Sequence, residues 1–397
     1  MPKILHINDY PVETGGGAEV VMRSTIALLR RRGLTVETFT SANLADARRT
    51  PSRYIDNSHA RAALAAKLEA FRPDLVHLHN FYHVLSPGIL VTLENYKRQR
   101  PLRVVMTAHD YHLVCPNSGG CWYRWWSGWR ETIKPNENSL VYLWSRSWDH
   151  RSCLHSLLKL MQHSWNYRWH QRQRVIDLLI CPSRFVQAML EPLALKTRWL
   201  PHPVPPLPTS RPARAGPLRF VFAGRLEPEK GLKELLRSWP ADYPAVLTII
   251  GAGSQMASCE ETCRRKKFTD RVEFTGRLPH DETMARIASC HVLVQPSRVL
   301  ETYGLTLIEA LSSGTNILAA RRGAAREIVE ASGVGFLYEL DDPHSLAEQL
   351  HAIRAFYEAG TLNRFGVTNF MQERSELRHI EQLLQIYEVG IAKPLAA

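Results

Sequence analysis

The chain has 397 residues, of which 45% are hydrophobic and 22% are charged, and its net charge is +12. This length predicts two domains rather than a single core, and no stretch approaches the roughly 20 consecutive apolar residues that a membrane-spanning helix requires. The excess of 50 Lys and Arg over 38 Asp and Glu predicts an anionic partner. Nucleic acid, a nucleotide and an anionic membrane surface all remain open at this point.

Two features concern the cellular compartment. Seven cysteines, an odd number at irregular spacing, predict reduced thiols rather than a disulfide framework. The first residues, PKILHINDYP, are typical of a strand and contain no hydrophobic region of a signal peptide. We therefore expect a cytoplasmic protein.

The first half of the chain alternates short apolar runs with amphipathic stretches. Residues 18–33 have helical periodicity and end at Gly33, a residue that favours a helix C-terminus. The apolar runs predict buried strands at 3–7, 34–39, 74–79, 103–108 and 177–181. Strands that alternate with helices indicate βαβ units and a parallel sheet.

An aromatic and basic insert lies near residues 115–175. Eight of the ten tryptophans fall between Trp122 and Trp169. This composition suits a membrane interface, stacking on sugar rings or nucleic-acid bases, or a locally packed aromatic cluster, and all three interpretations remain open. Helical spacing predicts that part of one helix here faces the core, through Leu154, Leu157, Leu158, Met161, Trp165 and Trp169.

Residues 201–217 contain seven prolines in seventeen positions, which excludes a helix or a central strand. We predict an interdomain linker at 203–217. After it, apolar runs predict strands at 218–224, 246–251, 271–276, 291–296 and 316–320. The prediction is therefore α/β: two tandem doubly wound domains, 1–202 and 218–372, with ligands bound in the cleft between them.

The first candidate site follows the predicted strand 218–224. Arg225 and Lys230 lie five residues apart, between the end of that strand and the start of a helix. Two cations beside a helix N-terminus suit a diphosphate. The alternative is that both are solvated loop charges that pair with Glu227 and Glu229.

The second candidate site is the stretch ETYGLTLIEA, residues 301–310. A helix is predicted to begin near Gly304, so that the N–H groups of Gly304, Leu305 and Thr306 would face the same diphosphate. Glu301 precedes the helix and Glu309 lies two turns into it, and carboxylates accept hydrogen bonds from sugar hydroxyls. One sugar on each side of a diphosphate is a sugar nucleotide. The alternative for Glu309 is an ordinary solvent-facing helix residue.

Several motifs in order now resemble the retaining family 4 glycosyltransferases of the GT-B fold, also called glycosyl transferases group 1. The resemblance covers nearly the whole chain. It rests on GRLEPEKG at 224–231, on the two glutamates of 301–309 with a Tyr-Gly pair between them, and on ALSSGT at 310–315. Further similar segments are GGGAE at 15–19, TAHD at 107–110, CPSRF at 181–185, FTGRLPHDE at 274–282 and GAAREIV at 323–329.

The resemblance implies a fold and a set of roles. Two Rossmann-like domains would face each other across a cleft, and a C-terminal helix at 373–397 would cross back to the N-terminal domain. Glu301 would hold the transferred sugar, Glu309 the ribose, and His109 would lie over the donor sugar near the reacting carbon. The remaining donor-binding positions would be Gly16, Gly17, Arg225, Lys230, Arg277, Leu278, Gly304 and Leu305.

Alternatives remain open for three histidines. His109 could instead be a core histidine at a strand end. His77 and His79 could line the acceptor cleft or have a structural role.

The implied reaction moves a sugar from a nucleotide-diphosphate sugar to a hydroxyl of a glycan or lipid-linked glycan, as in bacterial-type surface polysaccharide assembly. It would proceed with retention, with no metal and no cofactor, because the cations that stabilise the leaving diphosphate are built in. We expect an anionic membrane surface as a further partner through residues 121–174, at the inner face of the plasma membrane, and no nucleic acid. The rivals are a sugar-nucleotide epimerase or a phosphorylase of the same fold, a nucleic-acid-binding protein, and a sugar-nucleotide sensor without turnover.

Overall fold

The structure is a computed structural model that describes residues 2–14, 16–46, 48, 50–124, 130–133, 139–204, 216–362 and 367–388. The chain divides into two compact units. The first comprises Met1–Pro203 and Glu376–Ala397, and the second comprises Val204–Ser375. Each unit contains one six-stranded parallel sheet with helices packed around it, which confirms the predicted pair of Rossmann-like domains.

The first unit contains a six-stranded sheet and a small hairpin. Its strands are β1 (Lys3–Ile7), β2 (Thr35–Phe39), β3 (Leu75–Leu78), β4 (Arg103–Thr107), β5 (Cys121–Tyr123), β6 (Arg130–Thr132), β7 (Leu178–Cys181) and β8 (Thr197–Trp199). The sheet order is β2-β1-β3-β4-β7-β8, with β5 and β6 pairing separately. Its order therefore reverses between β1 and β3, and this is the point where ligands bind in doubly wound sheets.

Among the described residues, seven α-helices of the first unit precede the second unit in the chain. They are α1 (Gly17–Arg31), α2 (Pro51–Ile55), α3 (Ser58–Phe71), α4 (Ile89–Gln99), α5 (Leu140–Trp144), α6 (Cys153–His163) and α7 (Arg184–Leu190). A π-helical turn, Ser164–Trp169, continues α6 directly. Among the helices of the described residues, none is both long and apolar enough to span a bilayer.

The second unit repeats the alternation of strands and helices. Its strands are β9 (Leu218–Ala223), β10 (Ala245–Ile250), β11 (Val272–Gly276), β12 (Val292–Gln295), β13 (Asn316–Ala320) and β14 (Phe336–Tyr338). Its helices are α8 (Leu232–Ser238), α9 (Met256–Arg265), α10 (His280–Ser289), α11 (Leu305–Ser312), α12 (Gly323–Ser332), α13 (Pro343–Glu358) and α14 (Thr368–Gln372). The sheet order β11-β10-β9-β12-β13-β14 reverses between β9 and β12.

The strands of the second unit, except edge strand β11, are buried on both faces. Phe220 and Phe222 pack into one hydrophobic cluster, and Val221, between them, packs into another on the opposite side of the sheet. Successive side chains of a strand point to opposite faces, so a sheet covered on both sides needs apolar residues at every position. This is why the predicted strands were continuous apolar runs.

Four strands of the described residues were not predicted, and each has only three residues. Strands β8 and β14 lie at the edges of their sheets, and β5 and β6 form the separate hairpin. Such short segments carry too little apolar periodicity to stand out from the loops around them. The ten predicted strands are confirmed, with ends that differ by one residue or less at most positions.

The predicted final helix, 373–397, begins three residues later than predicted, and its residues 389–397 lie outside the described residues. Helix α14 ends at Gln372, and the last helix of the described residues, α15 (Glu376–Glu388), begins after a break. At the break Val204 donates its N–H to the carbonyl of Arg374 over 3.0 Å and forms a bridge with Ser375. Helix α15 packs into the core of the first unit, where Ile380, Leu383, Ile386 and Tyr387 are buried.

Two further predictions concern the linker and the thiols. Of the predicted linker 203–217, residues 205–215 lie outside the described residues. Val204 already belongs to the core of the second unit. All seven cysteines are in the thiol form, as predicted.

The prediction that one helix of the insert faces the core with its apolar stripe is wrong. Leu154, Leu157, Met161, Trp165 and Trp169 are 64%, 42%, 40%, 40% and 55% exposed. The buried side of α6 and its π-helical turn is instead mostly polar, and carries Ser156, Gln162, His163, Ser164 and Asn166 beside Leu160 and Tyr167. Helical spacing identifies a common face but not which face turns inward, and here backbone carbonyls of the neighbouring segments bind the polar face. Trp125, Trp126 and Trp129 lie outside the described residues.

Candidate active site

The loop after β9 places a lysine against the loop after β12. A 3-10 turn, Pro228–Lys230, leads into Gly231, whose φ of 68° lies in the left-handed region. A Cβ at Gly231 would lie 2.1 Å from the carbonyl oxygen of Pro296. Only glycine allows the two loops to approach this closely, and the approach brings Lys230 beside Glu301.

Lys230 and Glu301 form an ion pair at the point where the strand order reverses. The Nζ of Lys230 donates to Oε1 of Glu301 over 2.7 Å, and the hydroxyl of Ser297 donates to the same oxygen over 2.7 Å. Burial opposes the charge of Glu301, whose side chain is 18% exposed, but Lys230 and Ser297 outweigh this effect and lower the pKa of its carboxyl. The carboxyl of Glu301 is therefore charged at neutral pH.

The backbone of Glu301 is held from the opposite side by α12. The N–H of Ala324 donates to the carbonyl of Glu301 over 3.0 Å. Gly323 lies so close that a Cβ would be 2.9 Å from that carbonyl oxygen. Glu301 is thus fixed through both its side chain and its backbone.

Arg225 is placed differently from Lys230. Its side chain is 70% exposed, and its guanidinium contacts Glu229 over 3.2 Å. In this structure Arg225 therefore matches the alternative of a loop charge paired with Glu229. It lies near enough to Glu301 to help lower the pKa of that carboxyl.

The second glutamate lies on α11, which begins at Gly304. Gly304 has φ 73° and caps the helix without a side-chain hydrogen bond, so the N–H groups at this end, including that of Leu305, have no intrahelical acceptor. Glu309 is half-buried. Burial raises the pKa of its carboxyl, and His280 lowers it in part. A half-buried carboxyl of this kind is not the solvent-facing helix residue of the alternative.

The loop after β11 lies beside α11. Leu278 is half-buried against the cluster that contains Leu307 and Ile308, whereas Arg277 is exposed. His280, at the start of α10, is close enough to affect Glu309 electrostatically. The second unit therefore brings Leu278 together with α11, and Lys230 together with Glu301.

His109 follows β4 in the first unit, is half-buried, and contacts two buried histidines. Its Nε2 lies 2.8 Å from Nδ1 of His79, and its ring stacks on that of His202 with a centroid distance of 5.3 Å. Burial lowers the pKa of His109 to about 4, although Asp110 opposes the shift. His109 is thus neutral at pH 7.

The first glycine loop has a local structural reason for its glycine. A Cβ at Gly16 would lie 2.1 Å from a carboxylate oxygen of Glu19, which accepts a hydrogen bond from Asn8 over 2.8 Å. Gly17 is the first residue of α1. Gly15 lies outside the described residues. The glycine at position 16 lets the buried carboxylate of Glu19 fold back over the helix start.

Family models match most of the chain. Residues 15–206 match the model described as Glycosyltransferase Family 4, and residues 208–355 match that described as Glycosyl transferases group 1. The chain belongs to glycosyltransferase family 4.

Solved structures show the GT-B fold for this family 4 chain. A sucrose-phosphate synthase from Thermosynechococcus elongatus aligns with a TM-score of 0.72 and 18% identity over 99% of this chain and 100% of that one. HepE from Anabaena, solved with UDP and glucose, aligns with a TM-score of 0.66 and 16% identity over 98% and 100% of the two chains.

Sequence relatives match over a shorter stretch. The glycogen synthase of Mycobacterium tuberculosis is 30% identical over 152 residues, which are 37% of this chain and 36% of that protein. The match therefore spans about a third of the length of the curated relatives.

Two residues beside the candidate site were not predicted from the sequence. Ser297 hydrogen-bonds Glu301, and His280 lies beside Glu309. Ser297 follows β12, one of the two strands at which the order reverses, so the rule that ligands bind beyond the carboxyl ends of such strands would have pointed to it. His280 stands in the segment 274–282 that resembles the family, but the sequence assigned no role to this residue.

Proposed function

We propose that the chain is a retaining glycosyltransferase that moves a sugar from a nucleotide-diphosphate sugar to a hydroxyl of a glycan or lipid-linked glycan. The observation that carries the proposal is the charged Lys230–Glu301 pair, fixed at the reversal point of the second sheet. HepE, which shares the fold, was solved with UDP and glucose. We place the reaction in the cytoplasm, in the assembly of a surface polysaccharide.

The site residues divide by chemistry. Lys230, Arg225 and the amides at Gly304 and Leu305 bind the diphosphate, because they supply positive charge and N–H donors without a metal ion. Glu309 accepts hydrogen bonds from the ribose hydroxyls, and the backbone at Arg277 and Leu278 borders the base. Lys230 exchanges part of its contact with Glu301 for a phosphate oxygen, which leaves Glu301 to accept from hydroxyls of the transferred sugar.

Catalysis follows from where charge develops. The leaving diphosphate gains negative charge while the sugar ring gains positive charge, so cations held beside the diphosphate stabilise the transition state more than the ground state. In a same-face reaction the leaving phosphate oxygen takes the proton of the acceptor hydroxyl. His109 then positions the donor sugar, and Gly16 and Gly17 border it.

We further propose that the first unit binds an anionic membrane surface through an apolar strip, defined as Leu154, Leu157, Met161, Trp165 and Trp169. The strip is exposed on α6 and its π-helical turn. Residues 139–174 carry six Lys and Arg against one Asp. Apolar side chains flanked by basic ones are the pattern of interfacial helices.

The polar face of α6, opposite the apolar strip, explains why the helix is oriented with the strip exposed to solvent. Gln162 donates to the carbonyl of Tyr82 over 2.7 Å, and Asn166 donates to that of Ile55 over 3.1 Å. Rotating the helix to bury the strip would break these bonds and leave polar groups unpaired. The apolar strip is therefore kept on the surface by contacts on its other side, as a lipid-facing surface requires.

A thermal-shift screen of UDP-, GDP-, ADP- and dTDP-linked sugars tests the donor proposal, because a ligand that binds the folded state raises the melting temperature. We expect one nucleotide series to stabilise the protein and Lys230→Ala to lose that shift. Product analysis then separates transfer from epimerisation, and the anomeric configuration of the product tests retention. Two results together would favour the nucleic-acid-binding rival. None of the sugar nucleotides would stabilise the protein, and the protein would bind nucleic acid equally well after Arg225→Ala.

A further inference from the structure

Three histidines of the first unit form one hydrogen-bonded row. Nδ1 of His6 lies 2.9 Å from Nε2 of His79, and Nδ1 of His79 lies 2.8 Å from Nε2 of His109. His6 belongs to β1, His79 follows β3, and His109 follows β4, so the row crosses three adjacent strands near their carboxyl ends. The rings of neighbours in the row are stacked, with centroids 5.2 Å and 5.1 Å apart.

All three histidines are neutral at pH 7. Burial lowers the pKa of His6 to about 3, that of His79 well below its usual range, and that of His109 to about 4. A neutral imidazole carries one N–H and one bare nitrogen. In a row joined nitrogen to nitrogen, every ring must therefore donate in the same direction.

The far end of the row determines that direction. Nε2 of His6 is buried and has no hydrogen-bond partner among the described residues. If the row donated from His109 toward His6, the proton of His6 would lie on this Nε2, and a buried N–H would be left unpaired, which is costly. Donation from His6 toward His109 leaves a bare nitrogen there instead, which is the less severe defect because orphaned buried N–H groups are the rarer kind.

We propose that His79 is a positioning residue that fixes the tautomer of His109, and that His6 anchors His79 in the required orientation. His79 donates from Nδ1 to Nε2 of His109, so the proton of His109 lies on Nδ1. The nitrogen of His109 that does not contact His79 then donates a hydrogen bond and cannot act as a base. This inference rests on the proposed role of His109 beside the donor sugar, and it makes His109 a donor to a sugar oxygen.

A metal centre is the competing use of the same residues. Ligand nitrogens of His6, His77 and His79 lie within 4.8 Å of one another. Both nitrogens of His77 are already engaged, at 2.6 Å from the hydroxyl of Tyr387 and 2.7 Å from that of Thr107. A metal ion would have to displace one of these contacts as well as the one between His6 and His79, so the hydrogen-bonded row accounts for more of the geometry.

The test is the tautomer of His109 in the full-length protein, read from long-range ¹H–¹⁵N correlation spectra after labelling with ¹⁵N-histidine. Replacement of single histidines assigns the signals. At pH 7.5 we expect neutral His109 with its proton on Nδ1. A proton on Nε2 would overturn the proposal without any reference to catalysis, and so would one equivalent of zinc retained after incubation with ZnCl₂ and gel filtration.

A matched pair of variants tests the part played by His79. His79→Asn keeps an amide donor where Nδ1 lies, whereas His79→Leu removes it. We expect His109 to keep its Nδ1 proton in His79→Asn and to shift toward the Nε2 tautomer in His79→Leu. His77→Asn, two residues away on β3, should leave the tautomer unchanged. An unchanged tautomer in His79→Leu would overturn the proposal; if that variant does not fold, the wild-type tautomer still decides.

Turnover of the sugar nucleotide that gives the largest thermal shift supplies a second readout. We expect His79→Leu to lower kcat about tenfold with little change in KM, since a hydrogen bond to the transition state is weakened, and His79→Asn to restore most of kcat. Equal kcat values in the two variants would contradict the proposal. Absence of turnover in the wild type would count against the proposed function alone, because the spectra decide the tautomer independently.

Discussion

At the scale of single residues, the Lys230–Glu301 pair is the part of the site that is already assembled. Two charged groups, 24% and 18% exposed, are joined over 2.7 Å, and Ser297 holds the same carboxylate oxygen. Removing one partner of such a pair leaves the other partly buried and unpaired. Arg225 is far more exposed and keeps the freedom to reach a ligand.

Lys230→Ala should therefore abolish donor binding and lower turnover by about 100-fold or more, because it removes a cation aimed at the leaving diphosphate. It should also raise the pKa of Glu301, since the effect of burial is then less opposed. Turnover and the thermal shift with the best sugar nucleotide are the measurements. Arg237→Ala, an exposed cation on α8, is the control and should behave as wild type. Turnover of Lys230→Ala within twofold of wild type would contradict the assignment.

Glu309→Gln should weaken nucleotide binding and yet raise the melting temperature at pH 7.5. Burial raises the pKa of Glu309, so its charged form destabilises the fold above that pKa, and the penalty disappears at low pH, where the carboxyl is protonated in both states. The gain over wild type should thus shrink as the pH falls from 7.5 toward 4. A melting temperature below that of wild type at pH 7.5 would show that Glu309 stabilises the fold.

At the scale of elements, the turn at Gly231 and the helix α6 show two kinds of local control. Gly231 lets two loops approach because it has no side chain. Helix α6 and its π-helical turn keep their apolar strip exposed because their polar face is bound by Tyr82 and Ile55 backbone carbonyls. In both cases a neighbouring element decides how the segment is used.

Gly231→Ala should destabilise the second unit by about 1–3 kcal/mol and lower activity, since the new Cβ meets the carbonyl of Pro296 and left-handed φ adds strain. Gly333→Ala is a matched control. Gly333 has a similar φ of 65° but nothing within 4 Å of a Cβ, so it isolates the cost of backbone strain. Urea denaturation measures both variants, and equal losses of stability would show that the contact with Pro296 is unimportant.

Replacing Leu157 and Trp165 together with serine should lower binding to anionic vesicles by at least about tenfold, because each apolar side chain gains roughly 1.5–3 kcal/mol on full burial. Flotation with phosphatidylglycerol-containing vesicles is the measurement. Phe356→Ser, which removes an equally exposed side chain from the second unit, is the control. Equal flotation of wild type and the double variant would remove the apolar strip as a membrane contact.

At the scale of the whole molecule, the first unit is assembled from both ends of the chain. Tyr387 of α15 hydrogen-bonds His77 of β3 across 310 positions of sequence. This contact belongs to a cluster of histidines from β1, β3, α15 and the segments after β3, β4 and β8. His6, His77, His79, His202 and His379 are buried, and His109 is half-buried. Burial lowers the pKa of each one.

The free energy of unfolding should fall steeply as the pH decreases from 7 to 5.5. Unfolded histidines bind protons below their ordinary pKa of 6.5, whereas the native ones stay neutral to about 4 or lower, so the unfolded state binds more protons in this range. Each such histidine adds up to about 1.4 kcal/mol per pH unit. Urea denaturation should give a shallower slope for His77→Asn, and an unchanged slope would contradict the shift at His77.

By itself, the sequence determined the alternation of strands and helices, the two parallel sheets and the motifs of the family. These properties are local in the sequence. A strand that is buried on both faces consists of consecutive apolar residues, whichever strands it pairs with. A motif such as a glycine next to a lysine spans only a few residues. The sequence did not determine which face of α6 turns inward, or that the last helix begins only at Glu376, since both depend on backbone groups distant in sequence.

Only the tertiary structure decided which side chains meet. Lys230 reaches Glu301 across 71 positions, and the row from His6 to His109 joins three strands. The charge of Glu301 and the neutrality of His109 follow from these contacts and from burial, because a pKa depends on burial and on neighbouring charges rather than on residue type alone.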